Sequence, residues 1–343
     1  MTGTSMDGVD VVGVQINGHH LEMTVSFLSM ASTGLGSIQK TLKLLATHGG
    51  STDELDEAAL EVGRLTKETI EDLQLQQIDL IALHGQTIFH EPPKSVQLID
   101  AMEIVNSFDC DVLTDPRQQD LQLGGQGAPI TPLADWIMFR DDDSSTAIVN
   151  LGGFCNVTIL PAHSTPKDIR GFDVCCCNLL LDAIAQHAFG KDFDEGGTHA
   201  LQGNPDEAIT QLLLETLNNQ RRLKRSLGTN DDVSTFVLQL GKHIPPEDLL
   251  ASATSAIGQC ITQSIQEIDR VFLAGGGVHN ESLCRAIQNS GTTETLGVPT
   301  QAREGMAMAI LGALAQDGVS ITLPQITGRR ETDSVVGWTQ ASP

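Results

Sequence analysis

No apolar run in the sequence approaches the roughly 20 residues that a membrane-spanning helix needs, and no signal peptide opens it. A cytoplasmic protein without a membrane partner is expected. Basic residues are scarce: 20 Lys and Arg stand against 44 Asp and Glu, a formal charge of -24. Nucleic acid would be repelled by such a surface, so it is excluded as a partner. An anionic small molecule is not, because oriented dipoles, a bound cation and one arginine reverse the field locally. Salt adaptation is the plain alternative reading of the acidity. Cys110, Cys155, Cys175, Cys176, Cys177, Cys260 and Cys284 form neither a CxxC pair nor a repeating framework, which points to reduced thiols. A long linker, a low-complexity tract and a fixed-period repeat are also lacking.

What is present suits a globular α/β protein. A chain of 343 residues has room for two domains, each with its own core, and 40% apolar residues is not a disordered composition. Val9 to Ile16 is β-rich and ends at Asn17-Gly18, a hairpin signal, with Leu21 to Leu28 as the return strand. Ser51 and Glu54 make a capping box, after which Leu55, Ala59, Val62, Leu65, Thr69 and Leu73 recur at helical spacing. Ile78 to Leu83 reads as a buried strand, Ala101 to Phe108 as a short helix and Val112 to Thr114 as another strand. The register then restarts. Ala147 to Asn150, the turn Gly152-Gly153 and Asn156 to Leu160 form a second β-turn-β element. A strand from Ile169 to Asp173, helices over Leu179–Phe189 and Glu247–Glu267, and a strand from Val271 to Ala274 follow. Helices over Ser282–Gln288 and Ala302–Ala315 close this half. Two halves of related pattern predict two α/β domains, with a boundary near the acidic run Asp141-Asp142-Asp143.

Three glycine clusters carry the chemistry. Gly3-Thr4-Ser5-Met6-Asp7-Gly8-Val9-Asp10 offers backbone donors, hydroxyls and carboxylates between two strands. No lysine follows its glycines and no helix comes next, so it is not a Walker loop. Asn150-Leu151-Gly152-Gly153-Phe154-Cys155-Asn156 is followed by Arg170-Gly171-Phe172-Asp173, a carboxylate at a strand end. Leu273-Ala274-Gly275-Gly276-Gly277-Val278-His279-Asn280 ends a strand in glycines before a helix, without the GxGxxG spacing of dinucleotide sites. Each cluster alone is a tight turn. Three of them in this order in two halves favour ATP.

These residues resemble the anhydro-N-acetylmuramic acid kinases, ATP-dependent sugar kinases of the actin/hexokinase/Hsp70-like superfamily. The family's Ser-Gly-Thr-Ser-Leu-Asp-Gly-Val-Asp loop is similar to Thr2–Asp10, and its Ser-His-Gly-Gln-Thr-Ile to Leu83–Ile88. Its Ala-Asp-Phe-Arg, then Asp, then Gly-Gly-Gln-Gly-Ala-Pro is similar to Thr114–Arg117, Asp120 and Gly124–Pro129. Its Asn-Ile-Gly-Gly-Phe-Ser-Asn, Gly-Phe-Asp, Gly-Gly-Gly-x-x-Asn and Glu-Gly-Met-Ala have counterparts at Asn150–Asn156, Gly171–Asp173, Gly275–Asn280 and Glu304–Ala307. The likeness runs in order from residue 2 to about 315.

The resemblance implies two actin-like (RNase H-like) domains flanking a nucleotide and sugar cleft. They would span residues 1–143 and 144–324, with a C-terminal tail over 325–343. It implies conversion of 1,6-anhydro-N-acetylmuramate, ATP and water to N-acetylmuramate 6-phosphate, with ATP and Mg²⁺ as cofactors and a homodimer as one arrangement. Asp173 becomes the general base, with a strand-end cap as its alternative role. Gly3, Thr4, Ser5, Met6, Asp7, Gly8, Val9 and Asp10 would cradle phosphate, Asp7 also holding the metal. Gly152, Gly153, Gly275, Gly276 and Gly277 would line the nucleotide. Gln86, Thr87, Arg117 and Glu304 fall on the sugar side. Arg117 would meet the sugar's carboxylate or phosphoryl oxygens, or else make a surface salt bridge. Glu304 would bind sugar hydroxyls, or else serve as a helix-start carboxylate. His84 reads equally as a satisfied buried histidine.

The sequence also departs from that pattern. It begins at the phosphate loop, where the family has a preceding strand whose loss would leave roughly 20 Å of ladder unpaired. Val174-Cys175-Cys176-Cys177 stands where the family has Thr-Gly-Pro-Gly. If those glycines use positive φ, each cysteine costs about 1–2 kcal/mol and crowds the phosphates. Restoring Gly-Pro-Gly is then expected to raise activity and stability. Asp194-Glu195-Gly196-Gly197 lacks the family's second aspartate, and Arg225-Ser226-Leu227-Gly228 keeps only a trace of its Lys-Ser-Thr-Gly-Arg-Glu. A catalytically impaired relative with a sensing or partner-binding role, and a kinase of another anhydrosugar, are the competing functions.

Overall fold

The computed structural model of the chain describes residues 6, 8–223, 225–228, 231–240 and 243–341. The β-branched run after the first glycines forms β1, Gly8–Asn17, and the chain returns as β2, Thr24–Gly34. They pair antiparallel from Gly8 opposite Gly34 to Asn17 opposite Thr24. Gly18 takes φ +87° and a short turn over His20–Glu22 follows, so the return strand starts three residues later than expected.

The helix Thr52–Asp72 has the expected capping box: Ser51 N–H donates to Glu54 Oε2 at 2.8 Å, and Glu54 N–H to Ser51 Oγ at 3.4 Å. It buries Ala58, Val62, Leu65 and Ile70. A Cβ at Gly63 would stand 2.0 Å from the Asp100 carbonyl oxygen, so glycine lets the chain at Asp100 lie on the helix. β3, Leu80–Leu83, runs parallel to a later strand, and β4, Gln86–Glu91, folds back on β5, Lys94–Leu98. The partner of β3 is β6, Asp111–Thr114, with Leu83 opposite Thr114.

The chain divides into two compact units, one of residues up to Phe139 with those from Ala302 on, the other Arg140–Gln301. That corrects the expected division. The helix Arg303–Gln316 belongs to the first unit. A Cβ at Gly305 would stand 2.4 Å from Val12 of β1, and one at Gly312 would stand 3.0 Å from Ala82 of β3. The helix buries Met306, Ala307, Met308, Ile310, Leu311 and Leu314, so it has no polar face to reveal its partner. The residues expected as a tail are also built into this unit. Thr339–Gln340 pairs with β6, and Ala341 N–H donates to Val112 O at 2.8 Å.

In the second unit β7, Thr146–Leu151, is buried at every position, as a central strand should be. β8, Phe154–Leu160, pairs antiparallel with it, and β9, Arg170–Cys176, pairs antiparallel with β8. β10, Arg270–Ala274, pairs parallel with β7 and with β11, Ser290–Thr292, giving the order β11-β10-β7-β8-β9. The helix Pro246–Ser264 buries Leu249, Leu250, Ile257 and Ile261 in the core of this unit.

The cysteine run contradicts the strained-turn expectation. Cys175 and Cys176 extend β9, Cys177 has φ -129°, and none of the three takes a left-handed φ. All three side chains are fully buried in the hydrophobic core, and all seven cysteines are free thiols. Burial pushes the Cys176 thiol up to about 12, so it remains protonated. Among the described residues no helix is long and apolar enough to cross a membrane.

Candidate active site

In the second unit the glycine clusters meet. The Gly152 and Gly153 carbonyls accept the N–H groups of Asn178 and Cys177 at 3.1 and 2.9 Å, capping the helix Asn178–Phe189. Gly275 ends β10 with φ +82°, and a Cβ there would come 2.7 Å from Asn150 Oδ1. At Gly277 a Cβ would come 2.6 Å from Leu151 Cβ and 3.0 Å from Asn178 Oδ1. Asn178 Nδ2 donates to Leu151 O at 2.9 Å, tying the helix start to the end of β7. Only glycine fits between these groups. Gly276, by contrast, has nothing within 4 Å of its Cβ position, so one side of the turn is open.

The turn at Gly196 and Gly197 reaches the same place. A Cβ at Gly197 would stand 2.3 Å from Asn280 Oδ1, and that Asn280 oxygen caps the helix Glu281–Ala286 through Leu283 N–H at 3.0 Å. Buried Asp194 holds the turn by accepting from His199 and Ala200 N–H, each at 2.9 Å. Sequence reading singled out Asp194 only as a family remnant. Its buried capping role needs the fold to be seen.

Asp173 lies on β9 opposite Asn156 of β8, half-buried, with Oδ2 accepting Leu227 N–H at 2.7 Å. Its partner comes from Arg225–Gly228, the stretch where family likeness is faint. A backbone donor leaves no side-chain signature, so this contact was illegible.

The sugar-side candidates lie in the first unit. His84 follows β3 and is buried; its Nδ1 lies 3.0 Å from Gly85 O, which fixes the proton on Nδ1. Its Nε2 then accepts from Arg117 Nε at 3.1 Å and Nη2 at 2.8 Å. Burial, then the guanidinium beside it, holds His84 well below the usual histidine range. Arg117 also donates through Nη1 to Gly127 O at 2.6 Å and is half-buried. Gln86 is fully buried and donates to Thr87 O at 3.0 Å, while Thr87 Oγ1 accepts from Gln97 Nε2 at 3.3 Å. Glu304 is half-buried in the first turn of the helix Arg303–Gln316.

A cavity of about 570 Å³ lies at the carboxyl ends of parallel β3 and β6, lined by Asp56, His84, Gln97, Asp100, Thr114 and Asp115. Asp115 takes φ +56°, costly for a non-glycine residue, and its Oδ1 is buried without a hydrogen-bond partner. Gln97 Oε1 is in the same condition. Sequence reading matched Asp115 to the family pattern but gave it no role.

Of the first loop, Met6, Gly8, Val9 and Asp10 are described; Gly3, Thr4, Ser5 and Asp7 lie outside the described residues. Met6 is buried with φ +53° and accepts Gln39 Nε2 at 2.8 Å on its carbonyl. Asp10 accepts Ser32 Oγ at 2.6 Å across β1 and β2. The sequence candidates thus form two groups, one built within each unit.

A family model described as "Anhydro-N-acetylmuramic acid kinase" matches residues 1–339. The chain belongs to the anhydro-N-acetylmuramic acid kinase family. The family's kinase from Salinibacter ruber (strain DSM 13855 / M31) is 31% identical, covering 96% of this chain and 92% of its own. That from Francisella tularensis subsp. novicida (strain U112) is 29% identical, covering 96% and 94%. Among solved structures, the activator of the 2-hydroxyisocaproyl-CoA dehydratase from Clostridium difficile with bound ADPNP matches with a TM-score of 0.45. It is 11% identical and covers 90% of this chain and 96% of that one. By family the chain is a sugar kinase and an enzyme, and its fold class is the expected α/β of two units.

A kinase of this family uses ATP, and the glycine turns of the second unit fit such a ligand: the open side of Gly276 admits a flat group against the backbone. Among the described residues no three His, Cys, Asp or Glu gather to hold a metal.

Proposed function

We propose that the chain transfers the γ-phosphoryl group of ATP to O6 of 1,6-anhydro-N-acetylmuramate while water opens the anhydro bridge, in the cytoplasm. The observation that carries this reading is Asp173, a carboxylate fixed by Leu227 N–H at 2.7 Å on the strand beside the glycine turns. ATP supplies the phosphoryl group; Mg²⁺ on its phosphates, which Asp7 would help to hold through water, would neutralise their charge.

Asp173 takes a proton from water as the water oxygen bonds to the anomeric carbon. The bond from that carbon to O6 breaks, and O6 bonds to the γ-phosphorus as its bond to the bridging oxygen of ADP breaks and ADP leaves; the proton then leaves Asp173 for solvent. The first loop up to Asp10 cradles phosphate, and Gly152, Gly153 and Gly275–Gly277 line the nucleotide. Arg117 binds the sugar's carboxylate, aimed by His84 and Gly127 O. Glu304 takes sugar hydroxyls. Asp115 and Gln97 offer buried acceptors in the cavity for further sugar donors.

The core placement of the cysteine run removes the main argument for an impaired relative. Coupled ADP release should be measured with 1,6-anhydro-N-acetylmuramate, levoglucosan and glucose in parallel. Turnover with the first alone supports the reading. Equal kcat/KM with levoglucosan moves the substrate elsewhere, and no ADP with any sugar at millimolar ATP sinks it.

A further inference from the structure

Asp120 is fully buried and has no part in the proposed chemistry. It stands three residues after Arg117, in the short helix Gln118–Gln122. Its Oδ2 accepts Gly127 N–H at 2.8 Å, and its Oδ1 accepts Thr327 Oγ1–H at 2.7 Å. Arg329 Nε lies 3.6 Å from the same Oδ1, with both side chains almost wholly buried. Arg329 is itself held by Thr322, through Oγ1 at 2.9 Å and the carbonyl at 2.8 Å.

The segment Thr327–Arg330 grips the glycine loop at two more points. Gln126 N–H donates to Thr327 O at 2.9 Å, and Arg330 N–H to Leu123 O at 3.0 Å. Gly125 has no room for a side chain, since a Cβ there would stand 2.1 Å from Asp120 Oδ2. A glycine-rich loop has little side-chain packing to hold it and much backbone freedom to lose. Here the carboxylate and the distant segment supply the fixing. The result is a closed circuit: Arg117 Nη1 donates to Gly127 O, Gly127 N–H donates to Asp120, and Asp120 sits one helical turn after Arg117.

We propose that Thr327 and Arg329, acting through Asp120 and the Gly124–Pro129 loop, are positioning residues that aim the Arg117 guanidinium at an anionic sugar. The inference rests on the reading of Arg117 as the partner of the sugar's carboxylate. A guanidinium binds a carboxylate through a rigid fork, so a small displacement of Gly127 O costs affinity for the anion and little else.

The test compares 1,6-anhydro-N-acetylmuramate with 1,6-anhydro-N-acetylglucosamine, which has the same ring without the lactyl carboxylate, by calorimetric Kd and by KM. Thr327→Val keeps the shape and removes the donor. It is expected to weaken the carboxylated sugar about 10- to 100-fold, as misplaced positioning groups do. The neutral sugar and ATP should bind as in the parent, and Thr327→Ser should restore the parent values. If Thr327→Val does not fold, Arg329→Lys is the second variant, since it keeps the charge and loses the fork that spans Thr322 and Asp120. Arg117→Gln serves as the reference. If it leaves the preference for the carboxylated sugar intact, the reading of Arg117 fails and takes the proposal with it. If it abolishes that preference while a folded Thr327→Val or Arg329→Lys protein keeps it, or weakens both sugars equally, the positioning role alone is overturned.

Discussion

Asp173, a candidate site residue, and Arg303, the neighbour of another, show how differently two charged residues can be employed. Asp173 is half-buried, and its Oδ2 accepts Leu227 N–H at 2.7 Å. Asp173→Asn keeps the shape and cannot accept a proton. It should lower kcat by about 10²- to 10⁴-fold while leaving the ATP Kd nearly unchanged; near-parent turnover in the purified variant would remove Asp173 from the role. Arg303, beside Glu304, is instead locked away. Its Nε donates to Asp135 Oδ1 at 2.8 Å, Nη2 pairs with the other carboxylate oxygen, and Nη2 also reaches Thr131 Oγ1 at 3.1 Å. Both partners are about 1% exposed or less. Arg303→Met leaves the Asp135 charge buried, which should cost about 3–5 kcal/mol in denaturant unfolding. Arg303→Met with Asp135→Leu should recover most of that loss, because a buried pair contributes little net stability over apolar packing. A single variant as stable as the parent contradicts this account. The position of Asp173 on a strand was legible from its motif; the Arg303–Asp135 pair was not, because its members stand 168 residues apart in the chain.

At the scale of elements, local signals were read well and partners poorly. The capping box at Ser51 and Glu54 and the strands flanking Gly152-Gly153 depend on neighbours in sequence, and the structure has them. The helix Arg303–Gln316 was read as a helix and assigned to the other half, because a helix buried on nearly all sides gives no amphipathic direction. The strand Thr339–Gln340 has two residues, too few for any alternation. The cysteine run was misjudged for a related reason: family glycines suggested a turn, whereas this chain extends β9 and fills its core with three side chains. The expected effect of Cys175→Gly, Cys176→Pro and Cys177→Gly therefore reverses. Proline at 176 removes the N–H that Gln220 Oε1 accepts at 2.9 Å, and the glycines empty buried volume. The triple variant should lose about 3 kcal/mol or more in urea unfolding. A variant of higher midpoint and higher turnover would restore the strained-turn view.

For the molecule as a whole, buried His84 and half-buried His90 set how stability responds to acid. His90 donates to or accepts from Ser95 Oγ through Nδ1 at 2.8 Å, and its Nε2 is buried without a hydrogen-bond partner. Burial, then the Arg117 charge, brings His90 down to about 4. His84 is also held well below the usual histidine range, by its burial and then by Arg117. An unfolded histidine titrates near 6.5, so below about that pH the unfolded chain binds protons that the native chain does not. The stability contributed by both groups is complete above that value and declines as pH falls, at up to about 1.4 kcal/mol per pH unit for each. The share of His90 is exhausted near its folded value of about 4. Glu61, Asp168 and Asp317 carry depressed carboxylate values on the surface, and their losses fall in a lower window, as those groups protonate. Melting temperatures at pH 7.5, 6.5, 5.5 and 4.5 should therefore drop from 6.5 downward, with little change above it. His90→Gln retains a polar side chain that can reach Ser95 and has no proton to gain, so its decline between pH 6.5 and 4.5 should be shallower by one histidine's worth. If the two curves run parallel through that interval, His90 is not held neutral by the fold, and its burial has no bearing on acid stability.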